Sequence, residues 1–434
     1  MKFFTLIILS VKYLVRYRRR YFFLFLAISL GFGIVTILSA VKDKMYANVY
    51  NSAQDHYAGD IVAVGYDHDL SDIRHISANA KAEIYRAMEA VHLESPLVVE
   101  RTHFPQEGVV YFNGNAVRLK YVIGVDWDVE ASYFDSLNYQ ARLDIPPGEN
   151  TIYLSAPVAA LLNIRAGDSL TLGVNTIYGQ KNTGTFIVGG IVEDATIFGY
   201  YKVYIDRVIL NRLMFIADED CSIMGIFIKD QRDVEKKRTL LQAYLSERIQ
   251  TGPIVHNRDE LIRESTAPHG GIRIFLITIP VYLSEVADLL DALNIVTYFL
   301  YIMMLVIMMV SALVTYRLIL HERYRELGTM RTIGFYGADI RFILMLETFG
   351  LALASLAAGM ILALFFHRLV TFVPFTWFPS FEIFLEDGKL GALYLPRTVA
   401  ANILAVFASL FLAAAVPVYR SSREPLPDML RGGR

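Results

Sequence analysis

"NIVTYFLYIMMLVIMMVSALVTY", Asn294 to Tyr316, runs 23 residues without a charged side chain. Crossing the hydrocarbon core of a bilayer as a helix takes about 20 apolar residues, because every backbone donor and acceptor has to be satisfied within the segment. Three other runs reach that length: Tyr21 to Val41 (21 residues, uncharged), Phe342 to Phe366 (25, with Glu347 as its one charge) and Thr398 to Tyr419 (22, uncharged). Of the 434 residues, 54% are apolar and 19% charged, against about a quarter charged in a soluble domain. The expected fold class is a membrane protein: an α-helical four-span bundle plus one large extracytoplasmic α+β domain.

Orientation follows from the short flanks, since Lys and Arg are retained on the cytoplasmic side. Residues 1–20 hold Lys2, Lys12, Arg16, Arg18, Arg19 and Arg20 and no acid; the 317–341 connection holds Arg317, Arg323, Arg325, Arg331 and Arg341; residues 420–434 hold Arg420, Arg423, Arg431 and Arg434. Both termini and that connection are therefore expected in the cytoplasm, with 42–284 and 367–397 outside. Lys42 to Leu293 carries 23 Lys+Arg and 34 Asp+Glu, a net of −11, which argues against nucleic acid as a partner. A signal peptide is not expected, because the basic cluster follows the short apolar stretch Phe3 to Leu9 and no small-residue cleavage site comes after it. Residues 1–20 are read instead as an amphipathic segment on the cytoplasmic face, with Lys12 and Arg16 toward headgroups. Cys221 is the sole cysteine, so no internal disulfide supports the outer domain.

The outer segment alternates strand-like and helical pieces. Gly59 to Tyr66 and Val117 to Asp126 read as strands, Lys81 to Val91 as a helix, and Ser155 to Leu172 as a short helix, a turn at Gly167 and a strand. Thr185 to Asp194 and Tyr200 to Asp206 read as further strands and Val234 to Ile249 as a helix, giving a domain that is mostly β at its centre and divides in two. Beyond it, Val286, Leu289, Leu290, Leu293 and Val296 or Thr297 keep a helical period while Glu285, Asp288 and Asp291 take the other face. The second span is thus expected to continue outward as a stalk, 285–316, or to pack as a helix on the domain.

Catalytic constellations are not expected. Gly173 to Lys181 has five residues between its glycines and an intruding Gln180, so it is no P-loop. His321-Glu322 lacks the second histidine of a zinc motif, because position 325 is Arg. The run Asp67 to His75 is acidic and histidine-bearing but reads as a solvated loop. Glu347, a carboxylate within an apolar run, is a functional candidate; it also lies close enough to Arg341 for a neutral or interfacial structural role. The chain has no visible energy source of its own.

Between the second and third spans lies "HERYRELGTMRTIGFYGADI", His321 to Ile340. As a helix it puts Leu320, Tyr324, Leu327 and Met330 on one face and Glu322, Arg325, Glu326 and Thr329 on the other, with Gly328, Gly334 and Gly337 interrupting it. Orientation depends on Lys and Arg alone, so the interspersed glutamates call for another explanation, such as a partner.

Glu322, Arg323, Arg325, Glu326, Leu327, Gly328, Arg331, Ile333 and Gly334, followed by Glu347 in the next span, resemble the signature of FtsX-like permeases, the membrane subunits of type VII ABC transporters of the MacB and lipoprotein-releasing kind. Val416 to Gly432 is similar to that family's C-terminal pattern. The segment "PVAALLNIRAGDSLTL" with "FIVGGIVED" and "YKVYID" resembles, more weakly, a MacB-like periplasmic core. The resemblance implies a cytoplasmic P-loop ATPase as partner, which would bind ATP and Mg while this chain binds no cofactor and is not an enzyme. It implies that 317–341 is the coupling helix, with Glu322, Arg323, Arg325, Glu326, Leu327, Gly328, Arg331 and Gly334 toward the ATPase, and Val286, Leu289, Leu290 and Leu293 the transmitting stalk. It also implies a second FtsX-like permease, identical or related, and a lipoprotein or other amphiphile handled outside, with a periplasmic chaperone or adaptor. MacB-like efflux mechanotransmission and FtsX-like regulation of a cell-wall hydrolase remain alternatives. Ser265 to Glu285 is extra material by that comparison, and the aromatic loop Thr371 to Gly388 reads as an interfacial anchor.

Overall fold

The computed structural model describes residues 8, 10, 12–67, 74–93, 97–104, 106–193, 199, 201–373, 384–385 and 389–423. Most of the acidic run 67–75, most of the aromatic loop 371–388 and residues 424–432 of the C-terminal pattern therefore lie outside the described residues. The chain divides into two compact units: Met1–Tyr46, Leu289–Pro374 and Lys389–Arg434 form one, and Ala47–Asp288 with Phe375–Gly388 the other.

Among the described residues, four helices, with their apolar runs in the first unit, are long and apolar enough to cross a membrane. They are α1 (Arg18–Tyr57), α2 (Ser284–Glu322), α4 (Gly337–Val370) and α5 (Pro396–Arg423), with the short helix α3 (Tyr324–Thr332) between α2 and α4. At 1.5 Å per residue, the 40 residues of α1 extend about 60 Å, twice the hydrocarbon thickness of about 30 Å. Helix α1 thus continues 16 residues past the Val41 at which its apolar run ends. The unit's core joins Leu24, Ile28 and Phe32 of α1 to Met308, Ala312 and Ile319 of α2, Leu351, Ala352 and Leu356 of α4, and Val406, Leu410 and Ala414 of α5.

Helices α1 and α4 touch backbone to backbone where glycines face each other. A Cβ on Gly359 would stand 2.6 Å from the carbonyl oxygen of Ser29, and one on Gly33 would stand 3.0 Å from that of Gly359. In lipid, such small-residue contacts replace the hydrophobic drive that brings helices together in water. Gly359→Val is expected to push the helices apart and lower the unfolding free energy by about 1–3 kcal/mol. Denaturant unfolding in nanodiscs checks this, and an unchanged midpoint would contradict the packing.

The second unit is built on a twelve-stranded sheet. In spatial order the path runs β12 (Ile272–Thr278), β1 (Ile61–Asp67), β11 (Ile223–Ile226), β2 (Val98–His103), β5 (Tyr121–Val125), β10 (Lys202–Asp206), β7 (Thr151–Ser155), β9 (Lys181–Val192), β8 (Ser169–Asn175), β3 (Gly108–Phe112) and β4 (Asn115–Leu119), with β6 (Tyr139–Arg142) on β9. Strand β2 joins two halves: its residues Val98 to Arg101 pair with β11 and Thr102 and His103 with β5. Each half has its own core. Ile61, Ala63, Met224, Ile226, Ile274 and Leu276 pack with Ile84, Leu241 and Leu245 from the helices Ala78–Ala90 and Val234–Ser246. Val110, Leu154, Leu172, Phe186, Val188, Val203 and Leu210 form the other.

One sequence expectation changes. Val117 to Asp126 is two strands, because the amides of Lys120 and Tyr121 both donate to the carbonyl of Tyr201 (2.9 and 3.2 Å) and the chain exchanges partners there. Beyond that point β5 runs parallel to β10, whereas β4 pairs antiparallel with β3. Within Ser265 to Glu285 lies β12, whose seven residues pair in register with all of β1, from Ile61↔Thr278 to Asp67↔Ile272, so this segment is part of the sheet.

The last turn of α1 is held by Arg101 of β2. Its Nη1 donates to the carbonyls of Asp55 (2.6 Å) and His56 (3.0 Å), and its Nε lies 3.1 Å from both carboxylate oxygens of Glu130. Two residues along β2, His103 is 8% exposed and its Nε2 is buried without a hydrogen bond. Burial first, then the charges of Arg101, Arg74 and Lys202, hold its pKa well below the ordinary 6.5. The unfolded chain therefore takes up this proton before the folded one does, so stability present above pH 6.5 declines as the pH falls from there toward the folded-state pKa. An unfolding midpoint that falls below pH 6.5 in the wild type and falls less in His103→Gln is the expected result; identical profiles would contradict it.

Candidate functional site

Helix α2 does not end where its apolar run does. It continues through His321 to Glu322, and the backbone turns at Arg323, the residue that caps α3. Leu320, Leu327 and Met330 are buried in one cluster with Ile340, Ile343 and Leu344 of α4 and Val418 of α5, and Tyr13, Tyr324 and Phe335 pack against it. The apolar face expected from the spacing is thus the inner face. On the other face Glu322, Arg325 and Thr329 are exposed, while Glu326 and Arg331 are half-buried.

Gly328 does not interrupt the helix: it sits buried within α3, where the roughly 1 kcal/mol that glycine costs relative to alanine is small against the packing of its neighbours Leu327 and Met330. Gly334 does end it. At φ +105° it follows the last helical turn, its amide donating to Arg331 O (3.2 Å) and the Phe335 amide to Met330 O (3.1 Å), a pattern that closes helix ends at a left-handed residue. Gly337 is the first residue of α4. There the Tyr336 amide donates to the Asp339 carboxylate at 3.0 Å.

Arg323 is the residue the sequence placed least well. It is 1% exposed and therefore not on the partner-facing surface. Its Nη1 donates to Glu347 Oε2 (2.7 Å) and its Nη2 to Glu347 Oε1 (3.2 Å), a bidentate pair closed further by the Tyr21 hydroxyl donating to Oε2 (2.8 Å). Glu347 is itself 1% exposed, so the carboxylate within the third apolar run has an arginine partner. Two charges removed from water stabilise each other only when geometry and extra hydrogen bonds are good, and here both conditions hold.

The guanidinium also lies against two aromatic rings. Its carbon stands 4.6 Å from the Tyr13 ring centroid and 5.1 Å from that of Tyr17, and the two rings stack at 6.3 Å with 14° between planes. Residues 12–16 are helical and Tyr17 is in a turn before α1, with the amide of Tyr17 bonded to Tyr13 O (2.9 Å) and that of Tyr21 to Tyr17 O (3.4 Å). Tyr13, Tyr17 and Tyr21 thus recur every fourth residue along one face. Lys12, Val15, Arg16, Arg18 and Arg19 are exposed. The tyrosine row was legible as a spacing of four, but nothing in the sequence alone connected it to Arg323.

Of the stalk residues, Leu290 is buried and its carbonyl accepts from the Tyr46 hydroxyl of α1 (2.9 Å). Val286 and Leu293 are half-buried, whereas Leu289 is 53% exposed and leaves the inner face. The period that included it follows the residue type and not the contact. The helix itself is continuous from Ser284 to Glu322.

Residues 298–426 match the family described as FtsX-like permease C-terminal. No curated protein sequence matches the chain. Among solved structures, the periplasmic region of MacB from Actinobacillus actinomycetemcomitans aligns at 10% identity and a TM-score of 0.29, covering 54% of this chain and 96% of that one. A domain of a protein described as a permease, from Porphyromonas gingivalis, aligns at 12% identity and a TM-score of 0.29, covering 51% and 90%. The matched residues contain most of α2, all of α3, α4 and α5, and the Arg323–Glu347 pair, so this part of the chain is similar to the C-terminal region of FtsX-like permeases.

Proposed function

We propose that this chain is an FtsX-like permease, the non-catalytic membrane subunit of a type VII ABC transporter. A separate cytoplasmic P-loop ATPase binds ATP and Mg and engages α3. Its conformational change is passed along α2, and a lipoprotein or other amphiphile is extracted or exported on the outer side of the bacterial inner membrane. In this reading both termini are cytoplasmic, Ala47–Asp288 is periplasmic, and a second FtsX-like permease, identical or related, completes the complex. A periplasmic chaperone or adaptor receives the amphiphile.

The observation that carries the reading is the pairing of a mixed-charge helix with a buried anchor. Glu322 and Arg325 are exposed on α3 while Arg323, between them in sequence, is locked to Glu347 in the neighbouring apolar helix. A displacement of α3 is thereby communicated to α4 through a pair that does not dissociate into water, and to α2 through the turn at Arg323.

The test is co-purification of the full chain with candidate ATPases, followed by ATP hydrolysis in nanodiscs. Glu322→Ala/Glu326→Ala is expected to abolish complex formation and substrate-stimulated hydrolysis, and Arg325→Glu to leave hydrolysis but uncouple it from export. Undiminished coupling in both variants would sink the assignment. Release of a lipid-anchored protein from spheroplasts, measured beside efflux of a small amphiphile, separates lipoprotein release from efflux.

A further inference from the structure

Arg323 faces two carboxylates, and they are held unequally. Glu347 is gripped at 2.7 and 3.2 Å. Glu326, on α3, has its Oε2 3.6 Å from Arg323 Nε, and both of those atoms are shut off from solvent without a hydrogen bond. Buried polar atoms left unmade cost free energy, so a pair of them facing each other needs a reason. The other oxygen of Glu326 accepts a hydrogen bond from the Tyr17 hydroxyl. The Glu326 side chain as a whole is nevertheless 38% exposed, so this residue contacts the N-terminal segment and Arg323 and is also reached by solvent.

We propose that Tyr17 is a positioning residue that restrains Glu326 away from full engagement with Arg323, so that the N-terminal segment sets where α3 rests. This rests on the reading of α3 as the helix that meets a cytoplasmic partner, and it adds a regulatory element to it. A basic side chain of that partner approaching Glu326 competes with the Tyr17 hydroxyl. Once Tyr17 is displaced, α3 turns about the Arg323–Glu347 pair, which stays closed. The basic residues on the exposed side of residues 12–19 hold the segment at the headgroup surface, so the restraint is referred to the membrane itself.

The decisive measurement uses the isolated full chain, before any partner is added. In a Cys221→Ser background, spin labels at Val15→Cys and Thr329→Cys, both exposed positions, report the distance between the N-terminal segment and α3 by pulsed electron paramagnetic resonance. Tyr17→Phe and Glu326→Gln are each expected to shift or broaden that distance distribution while the thermal midpoint stays within about 2 °C of the labelled parent. Tyr13→Phe keeps its ring over Arg323 and loses only a hydroxyl 3.9 Å from the Met330 sulfur, and it is expected to retain the parental distribution. Unchanged distributions in both Tyr17→Phe and Glu326→Gln would overturn the proposal, as would an equal shift in Tyr13→Phe. With the ATPase present, Tyr17→Phe is expected to bind it as the wild type does but to alter its stimulation about five-fold; binding with wild-type stimulation would also overturn the proposal. Failure of the wild-type chain to bind any ATPase overturns instead the function proposed above, and the distance measurement still stands on its own.

Discussion

Replacing Glu347 by leucine is expected to lower the unfolding free energy of the chain in nanodiscs by about 3–5 kcal/mol, because it takes from the buried Arg323 guanidinium the carboxylate that holds it bidentately, leaving only Glu326 at 3.6 Å. Arg323→Met should cost a similar amount for the mirror reason: Glu347 is then an unpaired buried anion with one hydroxyl, that of Tyr21, to accept from. The double replacement Arg323→Met/Glu347→Leu removes both charges and should recover most of the loss, since burying two apolar side chains of similar volume in place of an ion pair is commonly neutral or stabilising. A double variant as damaged as the sum of the singles would show that the two residues do not act as a pair. The stable double variant is also informative about function. It keeps α3 in place but removes the bidentate geometry, and under the proposed function it should bind an ATPase and fail to couple.

The second large effect is expected in the sheet unit. Arg101→Met strips the last carbonyls of α1, those of Asp55 and His56, of their donor and leaves Glu130, 3% exposed, without its partner. A loss of about 3–5 kcal/mol is again expected, here together with fraying of residues 50–57, which hydrogen exchange on the purified chain would register. Glu130→Gln keeps an acceptor for Arg101 and should cost about half as much or less. Protection of the 50–57 amides that is unchanged in Arg101→Met would refute the capping role.

The four membrane helices were legible because apolar runs of 21 to 25 residues admit few other readings. The outward continuation of α2 also followed from its spacing, but the length of α1 and the cytoplasmic end of α2 did not. The ends of α1 and α2 beyond the apolar runs are polar and amphipathic, and what keeps them helical is tertiary: Arg101 on the carbonyls of α1, and the Tyr46 hydroxyl on Leu290 O. The inner face of α3 followed from spacing alone. Arg323 was misplaced because its residue type says exposed, while its partners Glu347, Tyr13, Tyr17 and Tyr21 lie 24 or some three hundred residues away in sequence. Periodicity carries no information at that range. Similarly, β12 was missed as a strand because "IRIFLIT" is apolar without alternation on its inner stretch, the pattern of a strand covered on both faces, which a short apolar run shares with a helix.

The position of β12 has a further consequence. Its antiparallel ladder with β1 begins at Ile61↔Thr278, and these are the two residues nearest the membrane helices: α1 ends at Tyr57 and α2 starts at Ser284. Both helices therefore leave the same end of one ladder, where the rings of Tyr57 and Tyr282 lie face to face at 3.7 Å. Forces on a ladder loaded along its strands are shared by all its hydrogen bonds, but a load that separates two strands at one end meets those bonds one at a time. Spreading α1 from α2 would load this sheet in the second way, as a zipper, with the tyrosine pair as its first tooth.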